Sequence, residues 1–335
     1  MHVLVTGASG FVGGVLIKAL AGAGATGLAV ARRPIVELPA GWGYRPRDAV
    51  LEGSSAVPVD AVIHLEARHH QYVIGEGSLA EAAGFTETNV GNTQAWLGWC
   101  ARTGVKRVVF YSSVKAVDPA RAPRGPDAAD ETTPGPGPSV YGRSKWKAEQ
   151  AVAMWAATEG RCGLILRPAA IYGPGNRANI YSMVDAVARR RFVFVGRNQN
   201  VKSLVSVRNA AAATVHLLGT AKPGCEIYTL VDTHRYSVRE LAAIIARHLN
   251  VPTPTRSVPL AAARPAARLA DWLAATTGIN LPITSARLDA LCEHANFSPA
   301  KLLATGFVHP ETPQEGLGEM VRWYRTIACG RDVPS

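Results

Sequence analysis

The chain has 335 residues, of which 47% are apolar and 18% charged, a composition too hydrophobic and too weakly charged for a disordered polymer and long enough for about two domains. The formal net charge is +11, from 36 Lys and Arg against 25 Asp and Glu, which points to an anionic partner. Apart from Arg189-Arg190-Arg191 the basic residues are scattered and not interleaved with aromatics, so nucleic acid is excluded in favour of a phosphorylated small molecule.

Five cysteines, Cys100, Cys162, Cys225, Cys292 and Cys329, lie far apart; this excludes a CxxC metal or redox pair and a disulfide scaffold, and they are expected to be buried thiols of a cytoplasmic protein. No basic-then-apolar leader precedes residue 2, and no run of about 18 apolar residues occurs. The reading is a soluble chain with its native start and no membrane partner.

In chain order, the strand-like runs HVLVT, GLAVA, AVIHL and RVVFYSS alternate with helical stretches at about Gly13–Ala23 and Asn92–Thr103, which predicts βαβ units and a parallel sheet. Val62-Ile63-His64-Leu65 is nearly continuously apolar, as a strand is when helices cover both faces of its sheet. The fold class is therefore doubly wound α/β. The segment 118–139 carries six prolines and three glycines and is expected to be a long surface loop of the kind that lies over a site as a lid. A helix at about Val140–Thr158 and a strand at Cys162–Leu166 follow, then strands at Ser203–Val207 and Glu226–Val231 and helices at Val238–Leu249 and Ala261–Ala275. The stretch VPLAAARPAARLADWLAA is weighed as an interfacial membrane helix, but Pro265 and Asp271 interrupt it and an ordinary packed helix is preferred. The expected division is 1–172 with 205–232 as one domain, and 173–204 with 233–335 as a smaller mixed lobe.

Three local patterns carry chemistry. Gly7, Gly10 and Gly13, in TGASGFVG between the first strand and first helix, allow a tight turn, close backbone approach to a pyrophosphate and tight helix packing, with the helix N-terminus facing the phosphates. Tyr141 and Lys145 are spaced i, i+4, so a helix puts the ammonium near the phenol; a neighbouring cation favours phenolate and lets the tyrosine exchange protons near neutral pH. Ser112 and Ser113 end a strand at the carboxyl edge of the sheet, where sites of this fold class form. His69-His70 is set aside as a metal site, because adjacent side chains diverge and no further ligand follows at a suitable spacing. No metal is expected.

Together with VIHL, Asn89-Val90, Arg167-Pro168 through Tyr172-Gly173-Pro174-Gly175-Asn176, and the ending NFSPAKLLATGF…TPQEGLGEMVRWYR, these residues resemble the extended short-chain dehydrogenase/reductases, the group of nucleotide-sugar epimerases, dehydratases and 4-keto-sugar reductases. The resemblance implies a Rossmann-type sheet with a smaller substrate lobe, and a catalytic set of Ser113, Tyr141 and Lys145. It implies nicotinamide dinucleotide contacts at Gly7, Ser9, Gly10, Phe11, Val12, Gly13, Arg32, Arg33, Asp48, Leu65, Ala67, Asn89, Tyr141, Lys145 and Pro168, with Asp48 against the adenine. Ser112, Asn176 and Lys202 are its expected substrate contacts, and a homodimer is compatible with it.

Four departures refine that picture. Val114-Lys115 stands where 4,6-dehydratases carry Asp-Glu, so dehydration is not expected. Glu66 replaces an alanine and is expected to be neutralised by Arg68. Arg208 stands where many relatives have Asp, and the sequence offers no account of it. Arg32-Arg33, in place of an acidic residue, suits a 2′-phosphate, so NADP(H) is favoured over NAD(H). The resulting expectation is oxidoreduction at C4 of a nucleoside-diphosphate sugar, UDP-linked as the resemblance implies, with 4-keto-sugar reduction ahead of 4-epimerisation of a UDP-hexose or UDP-N-acetylhexosamine and of a catalytically silent dinucleotide-binding regulator.

Overall fold

A computed structural model describes the chain except residues 54–57, 69–78, 124, 126–128, 197–199, 278–283, 286–287, 289–295 and 330–335. The His69-His70 pair and Cys292 lie outside the described residues.

Seven parallel strands form one sheet in the order β11-β6-β5-β4-β1-β2-β3. They are β1 (His2–Thr6), β2 (Thr26–Ala31), β3 (Trp42–Pro46), β4 (Ala61–His64), β5 (Arg107–Tyr111), β6 (Cys162–Pro168) and β11 (Gly224–Leu230). The order reverses at β1, between β4 and β2, and that reversal opens a crevice at the carboxyl ends of the strands. The register aligns Thr6 with His64, His64 with Phe110 and Tyr111 with Leu166, so the ends of β1, β4, β5 and β6 face one rim.

Alternation of side chains along the strands explains the near-continuous apolar runs. Val3, Val5, Val109 and Leu166 point to the face covered by α1 (Phe11–Gly22) and α7 (Val207–Thr220), sharing a core with Leu16, Ile17, Ala210 and Leu217. Leu4, Val62, Phe110 and Ile165 point to the face covered by α4 (Asn92–Thr103) and α5 (Val140–Ala156), packing on Trp96, Trp99, Ala148 and Val152. The doubly wound expectation holds. A separate core joins α6 (Asn179–Ala188), α8 (Val238–Leu249) and the C-terminal helix Pro313–Cys329 through Val184, Ile245, Leu317 and Val321.

Two expectations need correction. The helix expected at Ala261–Ala275 is present as α9 (Leu260–Thr277), but Pro265 and Asp271 do not interrupt it; Pro265 is exposed, so its ring has room and solvent reaches the carbonyl it leaves unpaired. Cys100 and Cys162 are buried thiols, but Cys225 is exposed, because it sits in the edge strand β11. The loop 118–139 is irregular as expected, and its described residues are anchored: Asp118 N donates to Pro134 O at 3.0 Å, Gly137 N to Ala116 O at 2.8 Å and Ser298 N to Ala129 O at 2.9 Å, while Glu131 Oε1 accepts from Thr229 N at 2.7 Å.

Candidate active site

The glycine-rich turn joins β1 to α1. Gly7 adopts φ +64°, a left-handed conformation natural to glycine, and Gly10 N donates to Gly7 O at 2.9 Å. A Cβ on Gly13 would lie 2.6 Å from Gly7 O and 2.7 Å from Ala8 O, so only glycine lets the helix start this close to the turn. Gly10 caps α1 without a side-chain hydrogen bond, which leaves the first-turn N–H groups to an anion. Ser9 and Gly10 are exposed, and Phe11 and Val12 are half-buried. Ala8 N donates to Val30 O at 3.2 Å, tying the turn to the end of β2, and Arg32 and Arg33 follow that end, both exposed. Gly175 packs on the Phe11 ring, where an added Cβ would lie 3.4 Å away, so the loop after β7 (Ala170–Tyr172) closes against the glycine turn.

The second part of the site lies across the crevice. Ser139 caps α5, accepting from Gly142 N at 2.9 Å. A Cβ on Gly142 would lie 2.0 Å from Lys115 O, so the missing side chain lets α5 reach the strand end and sets Tyr141 against Ser113. Burial pushes the Tyr141 phenol up to about 12, opposed by its hydrogen bond to Ser113; the rest of the residue is partly exposed, so it is the hydroxyl end that is withdrawn from water. The ring meets Phe85 edge-on at 6.1 Å. Burial pushes the Lys145 amine down to about 7, with the Glu149 carboxylate pulling the other way. Lys145 Nζ donates to Tyr111 O at 2.6 Å and lies 4.4 Å above the Phe110 ring. The lysine therefore anchors to the end of β5, and the phenol is raised by burial where a lowered value was expected.

The neighbouring serine plays a different part. Ser112 Oγ donates to Glu149 Oε1 at 2.5 Å, and Glu149 takes a bidentate pair from Arg167, Nε at 2.9 Å and Nη2 at 2.7 Å. All three are buried. The Ser112 hydroxyl is committed to this network, which leaves Ser113 as the strand-end hydroxyl against Tyr141.

Asn89 lies in a π-helical turn, Glu87–Gly91. Its amide donates to Ser144 Oγ at 2.9 Å and its carbonyl accepts from Arg68 N at 2.8 Å, fastening α5 to the segment after β4. Glu66 is neutralised by Arg47, not by Arg68: Arg47 Nε lies 3.2 Å from Glu66 Oε2, and Trp96 Nε1 donates to the same oxygen at 3.2 Å. Arg68 stacks over Phe85 instead. Asp48 opens the helix α2 (Arg47–Glu52) after β3, exposed and paired with Arg47 at 2.9 Å. Leu65 and Ala67 follow β4, partly buried, and Pro168 ends β6. Asn176 spans its loop, donating to Ile171 O at 2.7 Å and accepting from Ala178 N at 2.8 Å. Lys202 lies apart from the Ser113–Tyr141 pair in sequence and sheet, in β9 (Val201–Lys202), which pairs with β12 (Tyr236–Ser237). Arg208 forms an ion pair with Glu319 at 3.0 Å, which accounts for the residue as a tie to the C-terminal helix.

Two buried polar groups were not singled out in the sequence. Thr6 Oγ1 bonds His64 Nδ1 at 2.8 Å and accepts from Leu65 N at 3.2 Å, fixing the rim of β1 against β4. Burial, then the charges of Lys145 and Arg47, push His64 down to about 3, so it stays neutral. Asp232 gathers Tyr172 Oη at 3.0 Å, Asn209 Nδ2 at 2.8 Å and Ser206 N at 3.2 Å. Among the described residues no cluster of metal-ligating side chains occurs, and no described helix is long and apolar enough to cross a membrane.

Residues 3–230 match the NAD dependent epimerase/dehydratase family. The chain is 29% identical to the N-acetyl-alpha-D-glucosaminyl-diphospho-ditrans,octacis-undecaprenol 4-epimerase of Escherichia coli O157:H7, over 99% of this chain and 98% of that protein. It is 28% identical to the UDP-glucose 4-epimerase of Vibrio cholerae, over 77% and 79% of the two chains. Among solved structures, MoeE5 in complex with UDP-glucose and NAD superposes with a TM-score of 0.73 at 23% identity, over 98% of this chain and all of that one, a likeness of fold.

Proposed function

The chain belongs to the NAD dependent epimerase/dehydratase family, and we propose that it inverts C4 of a sugar carried on a diphosphate, oxidising that carbon and reducing it again from the other face. The observation that carries this reading is the hydroxyl pair of Ser113 and Tyr141 at the carboxyl end of β5, across the crevice from the glycine turn. That turn fits a dinucleotide: Cβ atoms at Gly7, Gly10 and Gly13 would press on the turn's own backbone and on the end of β4, so the three glycines hold the turn tight against the sheet, and the uncapped start of α1 offers N–H groups to a pyrophosphate. A bound nicotinamide dinucleotide supplies hydride transfer and, when oxidised, a positive ring charge.

The chain's own residues handle the proton. Ser113 Oγ and Tyr141 Oη hold the C4 oxygen between them. In reduction the tyrosine, a phenol at neutral pH because burial holds it near 12, gives its proton to that oxygen. In oxidation it takes the C4 hydroxyl proton, which requires cationic surroundings to bring the phenol down; Lys145, one turn along the same helix, adds to that charge in its protonated form, which burial confines to pH values up to about 7 in the chain alone. Val114-Lys115 offers no acid and base for eliminating water, so the 4-keto sugar is returned to an alcohol and not dehydrated. Asn176 and Lys202 belong to the lobe proposed to hold the diphosphate.

The carrier is a nucleoside in the Vibrio cholerae relative and a polyprenol in the Escherichia coli relative, which matches almost the whole chain; both present the same diphosphate to the lobe. A second reading, 4-keto-sugar reduction with NADP(H) drawn from a pool, is favoured by Arg32 and Arg33 at the end of β2, where a 2′-phosphate would meet them.

Proton NMR of the purified chain with UDP-N-acetylglucosamine, UDP-glucose or the polyprenyl-linked sugar tests the assignment. Epimerisation gives the C4 epimer with no added reductant. Turnover of a 4-keto sugar only with stoichiometric NADPH establishes the reductase reading in its place, and no turnover on any diphosphate-linked sugar rejects both.

A further inference from the structure

The helix α9 is built against the usual logic of a packed helix. Its inward face carries the small residues Ala263, Ala267 and Ala274, 8%, 0% and 7% exposed, of which Ala263 and Ala267 pack with Leu260, Val195 and Leu288. Three of its large apolar side chains face outward: Leu269 is 58% exposed, Trp272 61% and Leu273 38%. The spacing i, i+3, i+4 puts these three on one stripe. Arg264 and Arg268 are exposed one turn apart beside it. Asp271, the helix's acidic residue, is engaged by the backbone N–H of Ser285 at 3.2 Å. At the start of the helix, the ribbon of β8 (Phe194–Val195) and β13 (Ser257–Val258) adds Val193 and Val258, each 37% exposed, two residues after the exposed Arg191 and Arg256 respectively.

We propose that α9 docks flat on an anionic lipid surface, its Leu269–Trp272–Leu273 stripe in the interface and its arginines on lipid phosphates. A large apolar stripe with tryptophan, edged by basic residues on an otherwise modestly hydrophobic helix, is the pattern of an interfacial helix, and indole is suited to the boundary between acyl chains and headgroups. The positive edge selects the occupant: a negatively charged bilayer is complementary to Arg264, Arg268 and Arg256, whereas a second copy of this face would set arginines against arginines. Such docking would hold the substrate lobe at the surface where a lipid-carried diphosphate sugar resides. The docking itself stands on the exposed face alone; only that use of it rests on the lipid-carrier form of the proposed function.

The test is sedimentation of the full chain with vesicles of phosphatidylcholine, with and without phosphatidylglycerol. The wild-type chain is expected to bind the anionic vesicles at low salt and to be released as salt rises. Leu269→Glu with Trp272→Glu should weaken binding at least about tenfold, and Arg264→Glu or Arg268→Glu by about fivefold each. Trp272→Phe should keep most of the binding but lose the quenching of tryptophan emission by brominated lipids. All these positions are exposed, so thermal unfolding and turnover of a soluble UDP-sugar should match the wild type. Absence of wild-type binding to anionic vesicles overturns the proposal, as does equal binding by the double glutamate variant. A wild-type dimer that becomes a monomer in the double variant would assign the face to a second copy instead. Vesicle binding is read without turnover, so loss of the C4 reading and loss of the docking are told apart.

Discussion

Lys145 gives the sharpest physical test of the site. It is 2% exposed, and burial pushes its amine down to about 7, whereas the same amine in an unfolded chain titrates near 10.4. Between about pH 7 and 10 the unfolded chain therefore holds a proton that the folded chain has released. Stability must rise with pH across that window, by up to about 1.4 kcal/mol per unit, and become flat with respect to this group below it, where both states are protonated. From pH 7 to 9.5 the gain is roughly 3 kcal/mol. Lys145→Met keeps an apolar stem of similar length and removes the titration. Urea unfolding of both proteins at a series of pH values, with the variant subtracted, isolates the lysine, because the buried thiols of Cys100 and Cys162, pushed up by burial, act alike in both and with the opposite slope. A pH-independent difference would mean that the folded chain keeps Lys145 charged, and the reasoning fails. Glu149→Gln removes the carboxylate that holds the amine up and should extend the window to lower pH.

Tyr141→Phe should leave the fold intact and lower C4 turnover by at least about 100-fold, the scale of one proton-transfer group, measured by steady-state kinetics beside circular dichroism. Arg167→Met strands Glu149 as an unpaired buried carboxylate and should cost about 3–5 kcal/mol in urea unfolding; Glu149→Leu in the same chain should recover much of the loss, since the charge goes with its partner. Arg32→Ala with Arg33→Ala should weaken NADP(H) binding by roughly 1–3 kcal/mol and leave NAD(H) nearly unchanged, read by calorimetric titration. Equal loss for both cofactors would reduce the pair to general surface charge.

The sheet was legible because its strands are buried on both faces. Val3, Leu4 and Val5 all had to be apolar, for one faces α1 and α7 and the next faces α4 and α5. The edge strand β3, WGYRP, carries no such run and gives no strand signal; it forms because β2 offers it a parallel edge. The π-helical turn at Glu87–Gly91 is equally silent in the sequence, since its purpose, aiming Asn89 at Ser144, is a tertiary one. Pro265 misled for a related reason. A proline stops a helix when its ring and the carbonyl it frees are crowded, and on the outer side of α9 they meet solvent.

At the site, residue type was legible and partnership was not. The spacing of Tyr141 and Lys145 puts them on one helical face, and the same spacing once more reaches Glu149, which the sequence reading passed over. That third position changes the chemistry. Glu149 draws in Ser112 and Arg167, taking one of the two strand-end hydroxyls away from the crevice, and it supplies the field that keeps the Lys145 amine from falling further. Arg167 belongs to the same RP step as Pro168, at the end of β6, so the carboxylate also locks the active-site helix to the neighbouring strand. The proton-handling residues, the electrostatic support of the lysine and the stability of the sheet rim thus depend on one buried carboxylate, and a change at Glu149 should move the pH profile of turnover and the unfolding free energy together, where a change at Tyr141 moves turnover alone.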